Sequence, residues 1–90
     1  MATKTEETIR RFIVEEILFG RGGEALSDTD SLTRSGIIDS TGVLEVVTFL
    51  EETFGIQVDD RDLVPENLDS IRLIARYVDG RRGTEDVARN

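Results

Sequence analysis

The sequence predicts an all-α fold, a small bundle of three long helices and one short helix. Apolar residues recur at intervals of three and four along the chain, and no segment shows the alternation of a half-buried strand. The chain has 90 residues, of which 38% are hydrophobic and 33% charged. This length and composition fit one small globular domain with a modest core. We expect the domain to span residues 1–80, and residues 81–90, which lack an apolar face, to form a disordered tail.

The first helix is predicted over residues 3–19. Thr3 and Glu6 have the spacing of a capping box, which satisfies free amides at a helix start. Its apolar residues fall on one face and are Ile9, Phe12, Ile13 and Ile17. The glycines that end it are Gly20, Gly22 and Gly23.

A long connection over residues 20–38 follows, rich in Gly, Ser, Thr and Asp. We expect four of its apolar residues to be anchored in the core, namely Leu26, Leu32, Ile37 and Ile38. Asp28 and Asp30 alternate as in a calcium loop, but Thr33 stands where that loop requires glycine. The aspartates are therefore interpreted as caps of the loop, and no metal site is predicted.

The second helix, residues 40–54, has the clearest boundaries. Asp39 is a good N-cap, and Gly55 stands where a helix commonly ends in glycine. The inward stripe consists of Val43, Val46, Val47, Leu50 and Phe54.

Two helical segments are predicted near the end of the domain. Residues 60–64 form one short turn that Pro65 ends, and residues 70–79 form the last helix, which Asp69 caps.

Composition excludes several classes of function. The sequence has no Cys and no His, which removes disulfides, ordinary zinc sites, Cys nucleophiles and the commonest acid–base side chain. The net charge of −8 opposes binding to nucleic acid, and no apolar run is long enough to cross a membrane. The N-terminus has charges where a signal peptide needs an apolar stretch, so we expect a cytoplasmic protein.

The negative charge is concentrated in the middle of the chain. Residues 36–70 contain one arginine against nine carboxylates, a net charge of −8. Such a segment is either a solvated acidic face or a docking surface for a basic partner.

The junction GIIDSTG, residues 36–42, is the most informative motif. With Asp39 as N-cap, Ser40 becomes the first residue of the second helix, where free amides and the helix dipole favour an anionic phosphate. Asp-Ser is also a common way to begin a helix, so the junction alone leaves both interpretations open.

With the segment LEVVTFLEETFGIQV that follows it, this junction resembles the acyl and peptidyl carrier protein family over roughly residues 5–78. The resemblance implies the acyl-carrier type of four-helix bundle. It also implies that the chain is not an enzyme, and that 4′-phosphopantetheine is attached covalently to Ser40, with Asp39 beside it. Thr41, followed by Gly42, departs from the leucine that the family usually has after this serine.

The resemblance places partner recognition on the second helix. The matching exposed positions are Thr41, Leu44, Glu45, Thr48, Glu51 and Glu52. Leu44 lies off the inward stripe and is either an apolar contact for partners or a partly buried flank. The implied partners are a magnesium-dependent phosphopantetheinyl transferase, an adenylating ligase or acyltransferase that loads the arm, and downstream synthases. The carrier itself is expected to be a monomer.

Three functional hypotheses remain at this point. The first is a freestanding acyl or aminoacyl carrier of polyketide or nonribosomal secondary metabolism, which the stretches GVLE and PENLDSI favour. The second is an acidic helical interaction module with no prosthetic group. The third, a carboxylate-based enzyme, requires two of Asp59, Asp60 and Asp62 to converge in a pocket.

Overall fold

The computed structural model of the protein describes residues 3–22 and 26–89, without the side chains of Ser40 and of residues 83–89. Over these residues the structure is helical and contains no strand, which confirms the predicted all-α bundle. The α-helices are α1 (Lys4–Phe12), α2 (Ser40–Phe54), α3 (Pro65–Leu68) and α4 (Ile71–Arg89). A π-helical segment, Ile13–Ile17, extends α1, and a 3₁₀ turn, Asp60–Asp62, precedes α3.

The predicted capping box begins α1. The N–H of Glu6 donates to Thr3 Oγ1 at 3.1 Å, and the N–H of Thr3 donates to Glu6 Oε1 at 2.8 Å. Ile9 and Ile13 are fully buried, whereas Phe12 and Ile17 pack against the edge of the core. The predicted helix is therefore present, but its last turn is π-helical and ends at Ile17, with Leu18 as the C-cap. Phe19, which has a φ of 54°, follows the helix. Of the three glycines predicted to end it, Gly23 lies outside the described residues.

The core lies between α1, α2, α4 and the long connection. The fully buried side chains from these elements are Ile9, Ile13, Leu32, Val46, Leu50, Ile71, Ile74 and Val78. Burying each such side chain contributes about 1.5–3 kcal/mol relative to exposing it. Leu26, Leu32 and Ile38 are buried as predicted, and Ile37 is partly buried against the same cluster. The connection is thus part of the core, although its described residues form no regular helix.

Local signals set both ends of α2, as the sequence predicts. The N–H of Gly42 donates to Asp39 Oδ1 at 2.8 Å, and Gly55 adopts a left-handed conformation with φ of 66°. In the inward stripe, Val46 and Leu50 are buried. The remaining stripe residues, Val43, Val47 and Phe54, are partly buried.

The prediction that Pro65 ends a helical turn is wrong. The 3₁₀ turn stops at Asp62, and Pro65 is instead the first residue of α3. Proline is well suited to that position, because the amide of a first helical residue has no intrahelical acceptor.

The predicted cap of the last helix is also wrong. The N–H of Leu73 donates to Ser70 Oγ at 3.1 Å, so Ser70 caps α4 in place of Asp69. Asp69 and Ser70 are adjacent and either could cap α4, but the carboxylate of Asp69 is held by hydrogen bonds to the long connection.

The last helix continues past residue 79, where the sequence predicted its end. Gly80 is helical, and the backbone remains helical to Arg89. A single glycine in a helix costs about 1 kcal/mol, which is too little to end it when neighbours pack. Arg82 supplies one such contact, since its guanidinium carbon lies 5.7 Å from the ring centroid of Phe54. The domain boundary at residue 80 stays a prediction.

Asp69 fastens the long connection to the α3–α4 junction. Its carboxylate accepts hydrogen bonds from Ser31 Oγ at 2.6 Å, Thr33 Oγ1 at 2.7 Å and the N–H of Thr33 at 3.0 Å. Its carbonyl oxygen accepts the N–H of Leu32 at 2.7 Å. We call these four residues, Ser31, Leu32, Thr33 and Asp69, the Asp69 clamp.

The clamp fixes the backbone that leads into α2. The N–H groups of Ile37 and Ile38 both donate to the carbonyl oxygen of Leu32, at 3.0 and 3.1 Å. Asp39, the cap of α2, is the next residue. The start of α2 is therefore held through a short series of hydrogen bonds that begins at Asp69.

A second attachment holds the earlier part of the connection. Arg10 donates to the carbonyl oxygen of Leu26 at 2.7 Å and pairs with the carboxylate of Asp28. The carbonyl oxygen of Asp28 accepts the N–H of Arg72 at 2.9 Å. Asp30 accepts the N–H of Ser27 at 2.8 Å, in agreement with the predicted capping role.

Replacing Asp69 should lower the stability of the protein in a pH-dependent way. Burial raises the pKa of its carboxyl, but the hydrogen bonds from Ser31 and Thr33 and the charge of Arg34 outweigh burial and leave the pKa below its ordinary value. We expect Asp69→Asn to reduce the free energy of unfolding by about 1–3 kcal/mol at neutral pH. The ionised carboxylate stabilises the fold above its unfolded pKa of about 3.9, and this stabilisation disappears as the pH falls through the lower folded pKa.

Urea unfolding of wild type and variant at a series of pH values measures this difference. It should stay constant from about pH 8 to about pH 5 and shrink below about pH 4. Asp60→Asn, which removes an exposed carboxylate of the same charge, is the matched control and should change stability little. A difference that persists undiminished in strong acid would contradict the assignment.

Candidate functional site

Ser40 is the first residue of α2, as predicted, although its side chain lies outside the described residues. Its neighbours Asp39 and Thr41 are both exposed. The backbone position of Ser40 is thus at the surface, at the point where the fixed connection becomes a helix.

The electrostatics at this point favour an anion. The side chain of Asp39 satisfies the amide of Gly42, and the carbonyl oxygen of Asp39 accepts the N–H of Val43 at 2.9 Å. The earlier amides, those of Ser40 and Thr41, have no acceptor within a helix, and the helix dipole makes this end partly positive. A phosphate group attached at Ser40 would therefore be stabilised by the backbone.

Gly42 has a packing role that sequence reasoning missed. A Cβ atom at this position would lie 3.2 Å from Ile38 Cγ2 and 3.5 Å from Asp39 Oδ1. A side chain here would crowd Ile38, which is buried, and would lie in ordinary contact with the cap of α2. Glycine therefore lets the connection and the helix start lie in close contact.

Two concave regions flank the start of α2. We call α1 and the π-helical segment that extends it the first helical segment. A groove of about 300 Å³ lies between the end of this segment and α2, and Phe19, Asp39 and Thr41 are among its lining residues. A smaller apolar recess of about 200 Å³ lies between α2 and α3 and is lined by Val43, Leu63, Val64, Pro65 and Leu68 together with Thr33 and Asp69 of the clamp.

Most of the predicted recognition residues form one exposed surface on α2. These are Thr41, Leu44, Glu45, Thr48 and Glu52. Leu44 is 59% exposed, so of the two interpretations left open by the sequence the structure favours an available apolar contact over a buried flank.

Glu51 differs from the other predicted recognition residues. It is partly buried, and its Oε2 accepts the N–H of Val58 at 2.9 Å. The carboxylate therefore holds the segment after α2, which gives it a structural role whatever its part in recognition.

Sequence reasoning missed Phe19 and Glu16, which lie across the groove from α2. Phe19 is 80% exposed, the most exposed large apolar side chain among those that the structure describes. An ideal α-helix would place position 19 beside Phe12, seven residues earlier, at the edge of the apolar face, so nothing in the sequence indicated that Phe19 would be exposed or which element it would face.

Two of the three aspartates of the alternative enzyme hypothesis have separate partners, and the third, Asp60, is exposed to solvent. Asp59 accepts the N–H of Arg61 at 3.1 Å and Arg61 Nη2 at 3.2 Å, while Asp62 accepts the Tyr77 hydroxyl at 2.7 Å. The side-chain hydrogen bond from Arg61 is the main cause that lowers the pKa of Asp59. Burial, and then the hydrogen bond to Asp62, raise the pKa of Tyr77 to about 12. These contacts give Asp59 and Asp62 structural partners and provide no convergent acid–base pair.

The described residues contain neither a metal-binding cluster nor a membrane-spanning helix. No group of carboxylates in this part of the chain is arranged to hold a metal ion. None of its helices combines the length and the apolar character that crossing a bilayer requires.

Comparison with known proteins identifies one family. The chain matches the family described as "Phosphopantetheine attachment site" over residues 11–78, well over half of its length and including all of α2. No curated protein gives a significant match. Domains of this family are sites of covalent 4′-phosphopantetheine attachment and are generally carriers without catalytic activity. The chain therefore belongs to the phosphopantetheine attachment family, that of the acyl and peptidyl carrier proteins.

Proposed function

We propose that the protein is a freestanding acyl or aminoacyl carrier and that the hydroxyl of Ser40 is the attachment point of its phosphopantetheine arm. The observation that carries this proposal is the position of Ser40. It is the first residue of α2, beside an exposed Asp39, inside the segment that matches the attachment family.

The residues around Ser40 fit a phosphodiester. The first-turn amides offer donors to an anion, and the exposed neighbours Asp39 and Thr41 leave room for an enzyme to approach. The bound arm supplies a terminal thiol that bears acyl groups as thioesters, chemistry that a chain without Cys does not itself have. The protein's own contribution is to hold the attachment position at a fixed, accessible helix start.

Recognition by partner enzymes is proposed to use the acidic surface of α2. Glu45 and Glu52 are seven residues apart, about two helical turns, so they lie on one line of the helix with Thr48 between them. Neither glutamate has an ion pair within the described residues. A basic patch on a phosphopantetheinyl transferase, a loading ligase or acyltransferase, or a downstream synthase would complement this surface and accelerate encounter.

The pathway and location are part of the proposal. GVLE after Ser40 and the later PENLDSI resemble small freestanding carriers of polyketide or nonribosomal secondary metabolism, and we propose such a role for a cytoplasmic monomer. The cargo is chosen by the enzyme that loads the arm. Mass spectrometry of the holo protein after incubation with adenylating enzymes from the same source would identify the acid and the ligase.

Ser40→Ala should abolish attachment and leave the fold intact, because a first-turn surface residue contributes little packing. Intact mass after incubation with coenzyme A, Mg²⁺ and a phosphopantetheinyl transferase measures attachment, and circular dichroism measures helix content. Ser35→Ala is the matched control, since Ser35 is an exposed serine of the same connection.

Wild type and Ser35→Ala should each gain one phosphopantetheinyl group. A group retained on Ser40→Ala would show that the site is elsewhere. A wild-type chain that is never modified would favour the alternative, an acidic helical interaction module without a prosthetic group.

Reversing Glu45 and Glu52 to Lys should slow association with the transferase, because both charges face solvent on the proposed recognition surface. We expect a loss of about tenfold in kcat/KM for attachment at low salt, and the loss should shrink as salt screens the charges. Kinetics at varied carrier concentration, at low and high salt, check this. Asp60→Lys, a reversal beyond the other end of α2, is the control and should load normally. Normal loading by both Glu variants at low salt would show that these glutamates face solvent and take no part in recognition.

Leu44→Asp separates apolar contact from charge on the same surface. Because it removes a 59% exposed apolar side chain, its loss of affinity should remain at high salt. An effect that salt removes would mean that Leu44 makes no apolar contact with the partner.

A further inference from the structure

Phe19 is placed at a disfavoured backbone conformation and at an exposed position. Its φ of 54° is in the left-handed region, which aromatic residues rarely adopt and which glycine adopts easily. The N–H of the following Gly20 donates to the carbonyl oxygen of Val14 at 2.7 Å, which fixes the chain reversal. Because the ring is 80% exposed, burial in the core does not offset the energetic cost of this conformation.

The ring lies beside the start of α2. Phe19 lines the 300 Å³ groove together with Asp39, Thr41 and Glu45. An enzyme that reaches Ser40, which lies between Asp39 and Thr41 in sequence, must therefore approach this groove. The exposed ring is available for that contact without any rearrangement of the fold.

The rim of the groove is acidic. Glu16 lies on the side of the first helical segment and Glu45 on the side of α2, and both also line an adjoining groove of about 350 Å³. Neither carboxylate has an ion pair within the described part of the chain. The groove thus offers an apolar side chain between two available negative charges.

We propose that Phe19, Glu16 and Glu45 form a docking groove for the enzyme that modifies Ser40, and that this enzyme presents an apolar recess rimmed by Lys or Arg. The inference rests on the proposed function, since it takes Ser40 as the modified residue. It adds a second recognition element, on the first helical segment, to the surface of α2.

Charge complementarity favours a basic enzyme surface over the other possible occupants of the groove. A second copy of the chain has a net charge of −8 and would bring acidic residues against Glu16 and Glu45. An anionic lipid surface would be repelled for the same reason. A cationic enzyme surface gains at both carboxylates and covers the exposed ring.

The test is the attachment reaction with coenzyme A, Mg²⁺ and a phosphopantetheinyl transferase, measured at varied carrier concentration. Phe19→Gly and Phe19→Asn remove the ring and retain residues that tolerate a left-handed backbone, so their melting temperatures should equal or exceed that of wild type. We expect each to raise KM and lower kcat/KM by about tenfold, as loss of an aromatic anchor does, with kcat unchanged. Phe19→Tyr keeps the ring and should load like wild type.

Glu16→Lys tests the rim, with Asp60→Lys as the matched reversal. Glu16→Lys should raise KM at low salt and less at high salt, whereas Asp60→Lys should not. Wild-type loading with an unchanged KM in Phe19→Gly and Phe19→Asn would overturn the docking groove while leaving the proposed function standing. Failure of wild type to accept the arm at Ser40 would overturn the proposed function, and the docking groove with it.

Discussion

The hydrogen bonds of the Asp69 carboxylate are the constraint on which the site depends. Twenty-one residues, 18–38, separate the end of the π-helical segment at Ile17 from Asp39, the cap of α2, and a connection of this length would ordinarily be mobile. Asp69 accepts three hydrogen bonds from Ser31 and Thr33, residues that lie 38 and 36 positions earlier in the chain, respectively. With Leu32 buried between them, the connection reaches Asp39 in one defined path. A carrier needs a fixed attachment position, because several enzymes must reach it at the same place.

The excess of acidic residues divides into two groups with different physical roles. Glu51 and Asp62, like Asp69, accept hydrogen bonds from groups distant in the sequence and hold segments together. Glu45 and Glu52 have no such partner among the described residues and face solvent along α2. The net charge therefore overstates the number of carboxylates available on the proposed recognition surface. Glu45 and Glu52 lie on the proposed recognition surface of α2, whereas other exposed carboxylates, such as Asp60 and Glu66, lie beyond the end of that helix.

Features set by neighbouring residues could be predicted from the sequence, and features set by distant contacts could not. Asp39 and Gly55 were predicted as the limits of α2 because a cap acts within three or four residues of itself. Asp69 was assigned to the nearest helix for the same reason, although its partners lie on the other side of the fold. Ser40 could be proposed as the attachment residue from its contiguous motif and helix start together with the resemblance to the carrier family. Phe19 could not, since only the folded chain brings it beside α2.

The bond between Tyr77 and Asp62 also makes the protein a simple optical system. Tyr77 is the only tyrosine and the sequence has no tryptophan, so near-ultraviolet absorption and emission come chiefly from one ring that joins α4 to the 3₁₀ turn. Burial first, and then the hydrogen bond to Asp62, raise the pKa of Tyr77 to about 12 in the folded state against 10.0 ordinarily. Ionised Tyr77 therefore destabilises the fold, and its hydrogen bond, present below about pH 10, is lost as the pH rises through about 12. The ionisation of Tyr77 therefore reports whether the contact between α4 and the 3₁₀ turn is intact, with no label added to the chain.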